Sequence, residues 1–387
     1  MNQPQVFTGR DPHDGRPIAV RVENGIIRAV ERGPEDDETW LSAGFIDLQI
    51  NGYGGDDVNA GDVNAETVIS LAGKVVATGV TTFLPTLITS SEEQITAALR
   101  AIAIARQRSG LVAQVVPYVH VEGPYISAVD GFRGAHPKEY VRPPSLAEFG
   151  RWQEASGGLV GMVTLSPHFE GIEEYIAHVI ARGVHVSLGH TDATPEQIQK
   201  AVDAGARLST HLGNGTPATL PRHPNVVWTQ LAEDRLTVTM IADGQHLPAD
   251  TLKAMVRAKG VDRSILVSDA VALAGMPPGI YDTAVGGRVE LQASGRLSLA
   301  GTDYLAGAVL PLKDGVARAA RIMGGALGDA VKMGTENPGR FVRGRGVLRV
   351  GERADLVRFT MNEAEGSLCI KTVLVAGKEW EEREPRR

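Results

Sequence analysis

Short apolar runs alternate with amphipathic stretches along most of the chain. Between Gly44 and Arg345, eight runs have the length and β-branched content of buried strands: GFIDLQI, TTFLPTL, VVPYVHVE, GMVTLSP, HVSLGH, RLSTH, TVTMIAD and SILVSDA. Helical patterns fall between most of them. In SSEEQITAALRAIAIARQ, Ser90 or Ser91 is placed to cap the start; TPEQIQKAVDAG opens on Thr194-Pro195 and stops at Gly205. Eight strands alternating with helices predict an α/β chain folded as a (β/α)8 TIM barrel over residues 44–345. The rival, an open doubly wound sheet, is disfavoured because no GxGxxG or GxxxxGK[ST] follows an early strand.

Outside that region the period changes. IAVRVENGIIRAVERG places Asn24-Gly25 between two strand-like segments, a hairpin signal, and the polar PEDDETW follows as a connector. Near the other end, ADLVRFT and TVLVAGKEW read as strands with no amphipathic helix between them. Segments 1–43 and 346–387 are therefore expected to form one small β-sandwich domain built from both termini, beside the barrel.

Composition narrows the partners. A chain of 387 residues with 43% hydrophobic content can bury a large core. Its net charge of -7 is spread over interspersed acids and bases, with no basic stripe, so neither nucleic acid nor a membrane is expected as a partner. No stretch approaches ~20 uninterrupted apolar residues, and MNQPQVFTGRDPHDGR lacks the apolar core of a signal peptide. The single Cys369 excludes an intramolecular disulfide and a multi-cysteine zinc site. A soluble cytoplasmic protein is the expectation.

Barrel active sites assemble at the carboxyl ends of the strands. The predicted strands end at Gln49 and Asn51, at Glu122, at His190, at His211, at Asp243 and His246, and at Asp269. Glu122, His190 and His211 supply one carboxylate and two imidazoles, a set that leaves the fourth position of a tetrahedral metal site open. The plainer alternative makes each a satisfied polar residue in a barrel mouth. In FIDLQINGYGG, amides stand where many barrel hydrolases place a metal-binding His-x-His pair. Neutral amide oxygens are poor ligands, and GMVTLSPHF offers no lysine or acid to bridge two ions. One divalent metal per subunit is expected, zinc first, with iron, cobalt and manganese left open. Gln49 and Asn51 would serve as hydrogen-bond groups around it, the alternative being turn chemistry at Asn51-Gly52.

Asp269 in LVSDA is a candidate general base and acid; the AVALAGMPPG that follows makes a poor helix, which argues against a mere N-cap. His120 shares a strand face with Glu122 and is expected to support the ligands instead of joining them. His168 reads as either a site residue or an exposed loop residue, His223 is ambiguous, and His13, His178 and His185 read as surface or packing residues.

The ordered motifs GFIDLQINGYGG, HVEGPYIS with GAHP, SLGHTDAT, STHLGNG, IADGQH, LVSDA and LAGAVL, then ENPGR and GERADLV, resemble the N-acetylglucosamine-6-phosphate deacetylases of the amidohydrolase superfamily along almost the whole chain. Some members carry Gln-x-Asn on the first strand and bind one metal. The resemblance implies Glu122, His190 and His211 as metal ligands and Asp269 as the group that activates water. His136 of GAHP would contact the acetamido group and polarise its carbonyl, Asn214 and Gly215 would bind substrate, and Arg222 and His246 would grip the sugar phosphate. Leu305, Ala306 and Gly307 would line the acetyl or sugar pocket. A homodimer is implied, with Arg222 placed where it could reach from a neighbouring subunit. Two segments depart from the family, HLGNGTP for His-Leu-Phe-Asn-Ala-Met and RHPN for Arg-Glu-Pro-Gly, and a looser loop after strand six is expected.

The function that follows is metal-dependent deacetylation of N-acetylglucosamine 6-phosphate to glucosamine 6-phosphate and acetate. The alternatives are hydrolysis of another N-acetylated sugar, such as N-acetylgalactosamine 6-phosphate, or of another amide, and a catalytically silent sugar-phosphate binding protein.

Overall fold

The computed structural model describes residues 4–283, 287–302, 304–362 and 366–381. Eight strands form one parallel sheet in sequential order: β1 (Phe45–Ile50), β2 (Val80–Ile88), β3 (Val119–Glu122), β4 (Val160–Leu165), β5 (His185–Leu188), β6 (Leu208–Ser209), β7 (Thr237–Ile241) and β8 (Ser264–Val267). The sheet closes just beyond the last strand, where the Asp269 N–H donates to the Gln49 carbonyl at 3.0 Å and the Asn51 N–H to the Ala270 carbonyl at 2.8 Å. It is a TIM barrel, closed by the residues that flank the expected site.

All six residues of β1 are buried, as a strand covered on both faces requires. Inside the barrel, Ile46, Leu48, Leu84, Met162, Leu208, Ile241, Ile265 and Val267, from six strands, pack together. Outside, each helix lays an apolar stripe on the sheet. Helix Ala65–Ala77 buries Val68, Leu71, Ala72, Val75 and Val76, the i, i+3, i+4, i+7, i+8 set, and Asn64 caps it by accepting from the Glu66 and Thr67 N–H groups. Of the two candidate caps at Glu92–Arg108 it is Ser91 that accepts, from Gln94 N–H, and Thr194 with Gln197 forms a reciprocal capping box at Pro195–Asp203.

The termini supply a seven-stranded sheet from Gln5–Arg10, Pro17–Glu23, Ile26–Arg32, Trp40–Ala43, Leu356–Asn362, Ser367–Val375 and Lys378–Glu379. Asn24 and Gly25 make the expected hairpin turn with φ of 51° and 79°. The sheet folds back on itself, with Ile27 N–H donating to the Glu352 carbonyl and Ala354 N–H to that of Gly25. Val20, Val22, Ile27, Leu41, Leu356 and Leu374 are enclosed as a second core.

Some elements differ from the sequence reading. VVPYVHVE is strand only from Val119, because a helix, Gly110–Val115, occupies its first residue and Pro117 cannot donate to a ladder. RLSTH shrinks to two strand residues. After β8 a three-stranded antiparallel sheet appears, Gly279–Thr283, Gly287–Leu291 and Leu297–Leu299, where glycines and prolines dilute the period-two signal. Val289, Leu291 and Leu297 anchor it on Ala270, Leu273, Ala274 and Val309 at the barrel rim.

Candidate active site

Glu122 is the last residue of β3, while His190, His211 and Asp269 lie two residues past the ends of β5, β6 and β8. These three share a backbone conformation that L-residues rarely adopt, with φ of 49°, 28° and 49°. Each costs on the order of 1–3 kcal/mol and persists because the surrounding structure enforces it.

The imidazoles converge on Glu122, which is 2% exposed. Glu122 Oε1 lies 2.9 Å from His211 Nε2 and 3.3 Å from His190 Nε2, and Oε2 lies 3.9 Å from His136 Nε2. Burial alone would raise the Glu122 pKa, but the neighbouring His190 and His211 imidazoles outweigh it and hold the carboxyl well below its ordinary value. The geometry fits a cation. His190 Nδ1 sits 2.9 Å from the Phe132 carbonyl, which can only accept, so Nδ1 holds the ring's proton and Nε2 presents a lone pair. That lone pair faces an ionised carboxylate oxygen, an arrangement a positive ion between them would stabilise.

His136 belongs to the same cluster: one ligand atom each from Glu122, His136 and His190 lie within 4.8 Å of one another. Its ring is 4.3 Å from that of His190, and burial pushes its pKa down to about 3, so it is neutral. Asp269 Oδ1 accepts from Asn51 Nδ2 at 2.8 Å. Removal from bulk water, then the Glu122 charge, push the Asp269 pKa up to about 6, where a carboxylate can both take and return a proton. Gln49 Nε2, Asn51 Oδ1, His211 Nδ1 and Asn214 Nδ2 are buried without a partner among the described residues, polar atoms that bound water or ligand can satisfy.

The remaining expected residues surround this cluster less tightly. His120 lies deeper, with Nδ1 donating to the Leu48 carbonyl and Nε2 meeting Thr164, which continues through Thr210 to Ser187. Gly215 approaches His190 so closely that a Cβ would come within 2.8 Å of Nδ1, and a Cβ on Gly213 would come within 2.9 Å of the Met255 methyl. The glycines of HLGNGTP are thus positions of close approach. His246 Nδ1 bonds Asp243 Oδ2 at 2.7 Å, and Asp243 Oδ1 accepts the Gln245 and His246 N–H groups. Arg222 is exposed, and its guanidinium has no partner among the described residues. Leu305, Ala306 and Gly307 run beside the rim sheet, with a bridge from Leu305 to Ser298. His168 meets Ser166 at 2.6 Å, His185 packs edge-on against Phe341, and His223 is exposed.

Two residues at this site had no distinct signal in the sequence. Asp47, fully buried, accepts the N–H groups of Gln49 and Ser268, stapling β1 to the segment that carries Asp269. Thr89, just past β2, contacts His136 Nδ1. Asp47 lies among the apolar residues of β1 without interrupting their pattern, and Thr89 opens the polar run that follows β2.

The chain matches the amidohydrolase family over residues 40–380. It is 34% identical over 328 residues to the N-acetylglucosamine-6-phosphate deacetylase of Bacillus subtilis, covering 83% of this chain and 80% of that one. It is also 34% identical over 346 residues to the N-acetylgalactosamine-6-phosphate deacetylase of Escherichia coli O157:H7, covering 87% and 89%. Among solved structures it resembles an Asp→Ala variant of the Mycobacterium smegmatis N-acetyl-D-glucosamine-6-phosphate deacetylase in complex with N-acetyl-D-glucosamine-6-phosphate. The TM-score is 0.87 at 28% identity, over 98% of this chain and 99% of that one.

Proposed function

The chain belongs to the amidohydrolase family, and from that premise we infer that it is an N-acetylglucosamine-6-phosphate deacetylase, releasing acetate and glucosamine 6-phosphate. The observation that carries this reading is the buried Glu122 facing three imidazoles, with Asp269 at the rim, in a chain whose relatives deacetylate amino-sugar phosphates.

We propose Glu122, His190 and His211 as the ligands of one divalent cation, zinc first among zinc, iron, cobalt and manganese. When bound, such an ion lends Lewis acidity to a water and to a substrate carbonyl. The chain's own groups do the rest. Asp269, oriented by the Asn51 amide, takes a proton from the attacking water and delivers it to the departing nitrogen. His136 donates a hydrogen bond to the carbonyl oxygen as negative charge develops there. Asn214 and Gly215 would hold the sugar beside His190, and Leu305, Ala306 and Gly307 would line its pocket. His246 keeps Nε2 for substrate because Nδ1 is engaged by Asp243, and Arg222 would supply a planar fork for phosphate oxygens.

We propose a homodimer, in which the free Arg222 could complete a neighbouring site. No helix among the described residues is long and apolar enough to cross a membrane, and a cytoplasmic location is proposed on the sequence grounds given above. The resemblance to the E. coli protein supports a second reading, action on N-acetylgalactosamine 6-phosphate.

Steady-state kinetics on both epimers and on unphosphorylated N-acetylglucosamine separate these readings. The expected order puts N-acetylglucosamine 6-phosphate first. Arg222→Ala is expected to raise KM for the phosphorylated sugar about tenfold or more, the value of one lost charge-assisted contact, and to leave the neutral sugar unchanged. A higher kcat/KM for the galacto epimer would establish the second reading.

A further inference from the structure

Two neighbouring imidazoles in the site meet opposite backbone groups. His190 Nδ1 faces a carbonyl, that of Phe132, and must donate. His136 Nδ1 faces an amide: the Thr89 N–H points at it from 3.4 Å, and Thr89 Oγ1 lies 2.8 Å away. A backbone N–H can only donate. A proton on His136 Nδ1, in the other tautomer or in the imidazolium, would set two N–H groups head to head. The ring therefore accepts at Nδ1 and carries its proton on Nε2, the nitrogen that faces Glu122 Oε2. Thr89 is 1% exposed, and Gly123 approaches its hydroxyl so closely that a Cβ there would lie 2.2 Å from Oγ1, leaving the side chain little room to turn away.

We propose that Thr89 is a positioning residue that fixes His136 as the Nε2–H tautomer, making it a hydrogen-bond donor to the substrate carbonyl and keeping it from serving as a third imidazole ligand of the metal. The difference in role between His136 and His190, whose rings are 4.3 Å apart, is written in one amide and one carbonyl of the rim. The donor role toward the carbonyl rests on the deacetylase reading; the tautomer does not.

The test combines ¹⁵N NMR of the histidine-labelled, zinc-loaded protein with kinetics. The His136 resonances are assigned by their absence in His136→Gln. The expected spectrum has a proton on Nε2 and a bare Nδ1. Thr89→Val, which removes the shorter contact and keeps the amide, is expected to lower kcat about 10–100-fold, the usual effect of losing a residue behind the reacting groups, with KM and bound zinc unchanged. Thr89→Ser, which restores the hydroxyl, is expected to recover most of the rate. A proton on Nδ1 or a metal-bound Nε2 would overturn the tautomer, and a Thr89→Val enzyme with wild-type kcat would overturn the part of the Thr89 side chain in positioning the ring. Should no sugar be deacetylated, the deacetylase reading falls while the wild-type spectrum still decides the tautomer.

Discussion

His190, His211 and Asp269 occupy left-handed backbone two residues beyond their strands, so the groups proposed to do the chemistry are held where the chain would not relax by itself. Asp269→Asn keeps the shape and the Asn51 neighbour but cannot take a proton; it is expected to bind metal and substrate normally and lose about 10²–10⁴ in kcat, measured by acetate release. Because burial and then Glu122 set the Asp269 pKa near 6, activity is expected to fall as acid protonates it; a bound cation pulls the other way, so the acid limb of the kcat profile should lie at or below about 6. Asp47 makes a stability prediction. Burial pushes its pKa up to about 7, so the fold favours the protonated carboxyl. That contribution is complete at pH values below the ordinary carboxylate range and is lost as pH rises through about 7. The melting-temperature gap between wild type and Asp47→Asn, which cannot ionise, should therefore shrink from about pH 5 to about pH 8. A constant gap would mean that Asp47 stays ionised throughout.

At the scale of elements, what could be read from the sequence was what local chemistry dictates. Ser91 and Thr194 cap helices because their hydroxyls reach amides three residues on, and Asn24-Gly25 turns a hairpin because both tolerate positive φ. The rim sheet at 279–299 was not legible, since its pairing is non-local and its strands are short. Nor was the clasp on His190, where Gly134 and Gly215 come close through contacts far apart in sequence. A third such feature is Lys259, 1% exposed, whose Nζ donates to the carbonyls of Gln230, Leu231 and Glu233 at the end of helix Val226–Ala232, next to the segment bearing Arg222. Lys259→Met is expected to destabilise the protein by about 1–3 kcal/mol, the cost of orphaned buried acceptors, as read from urea unfolding. A variant as stable as wild type would show that water replaces the ammonium there.

For the whole molecule, eight strand-length apolar runs were enough to predict the barrel, and the barrel rule about strand ends was enough to gather Glu122, His190, His211 and Asp269 into one mouth. Periodicity says nothing of which imidazole nitrogen faces which backbone group, so His136 entered on resemblance alone, and its contact with Thr89, 47 residues away, is made only by the fold. A metal bound only by the folded chain contributes to stability as well as to chemistry. Chelation should lower the melting temperature and abolish turnover together, and one equivalent of divalent ion should restore both. Acetate release from N-acetylglucosamine 6-phosphate by protein carrying one divalent ion per chain, measured beside the chelated protein, decides whether this is a metal-dependent deacetylase. The expected result is acetate and glucosamine 6-phosphate in equal amounts from the first and neither from the second; one ion bound with no acetate formed would rule the deacetylase out.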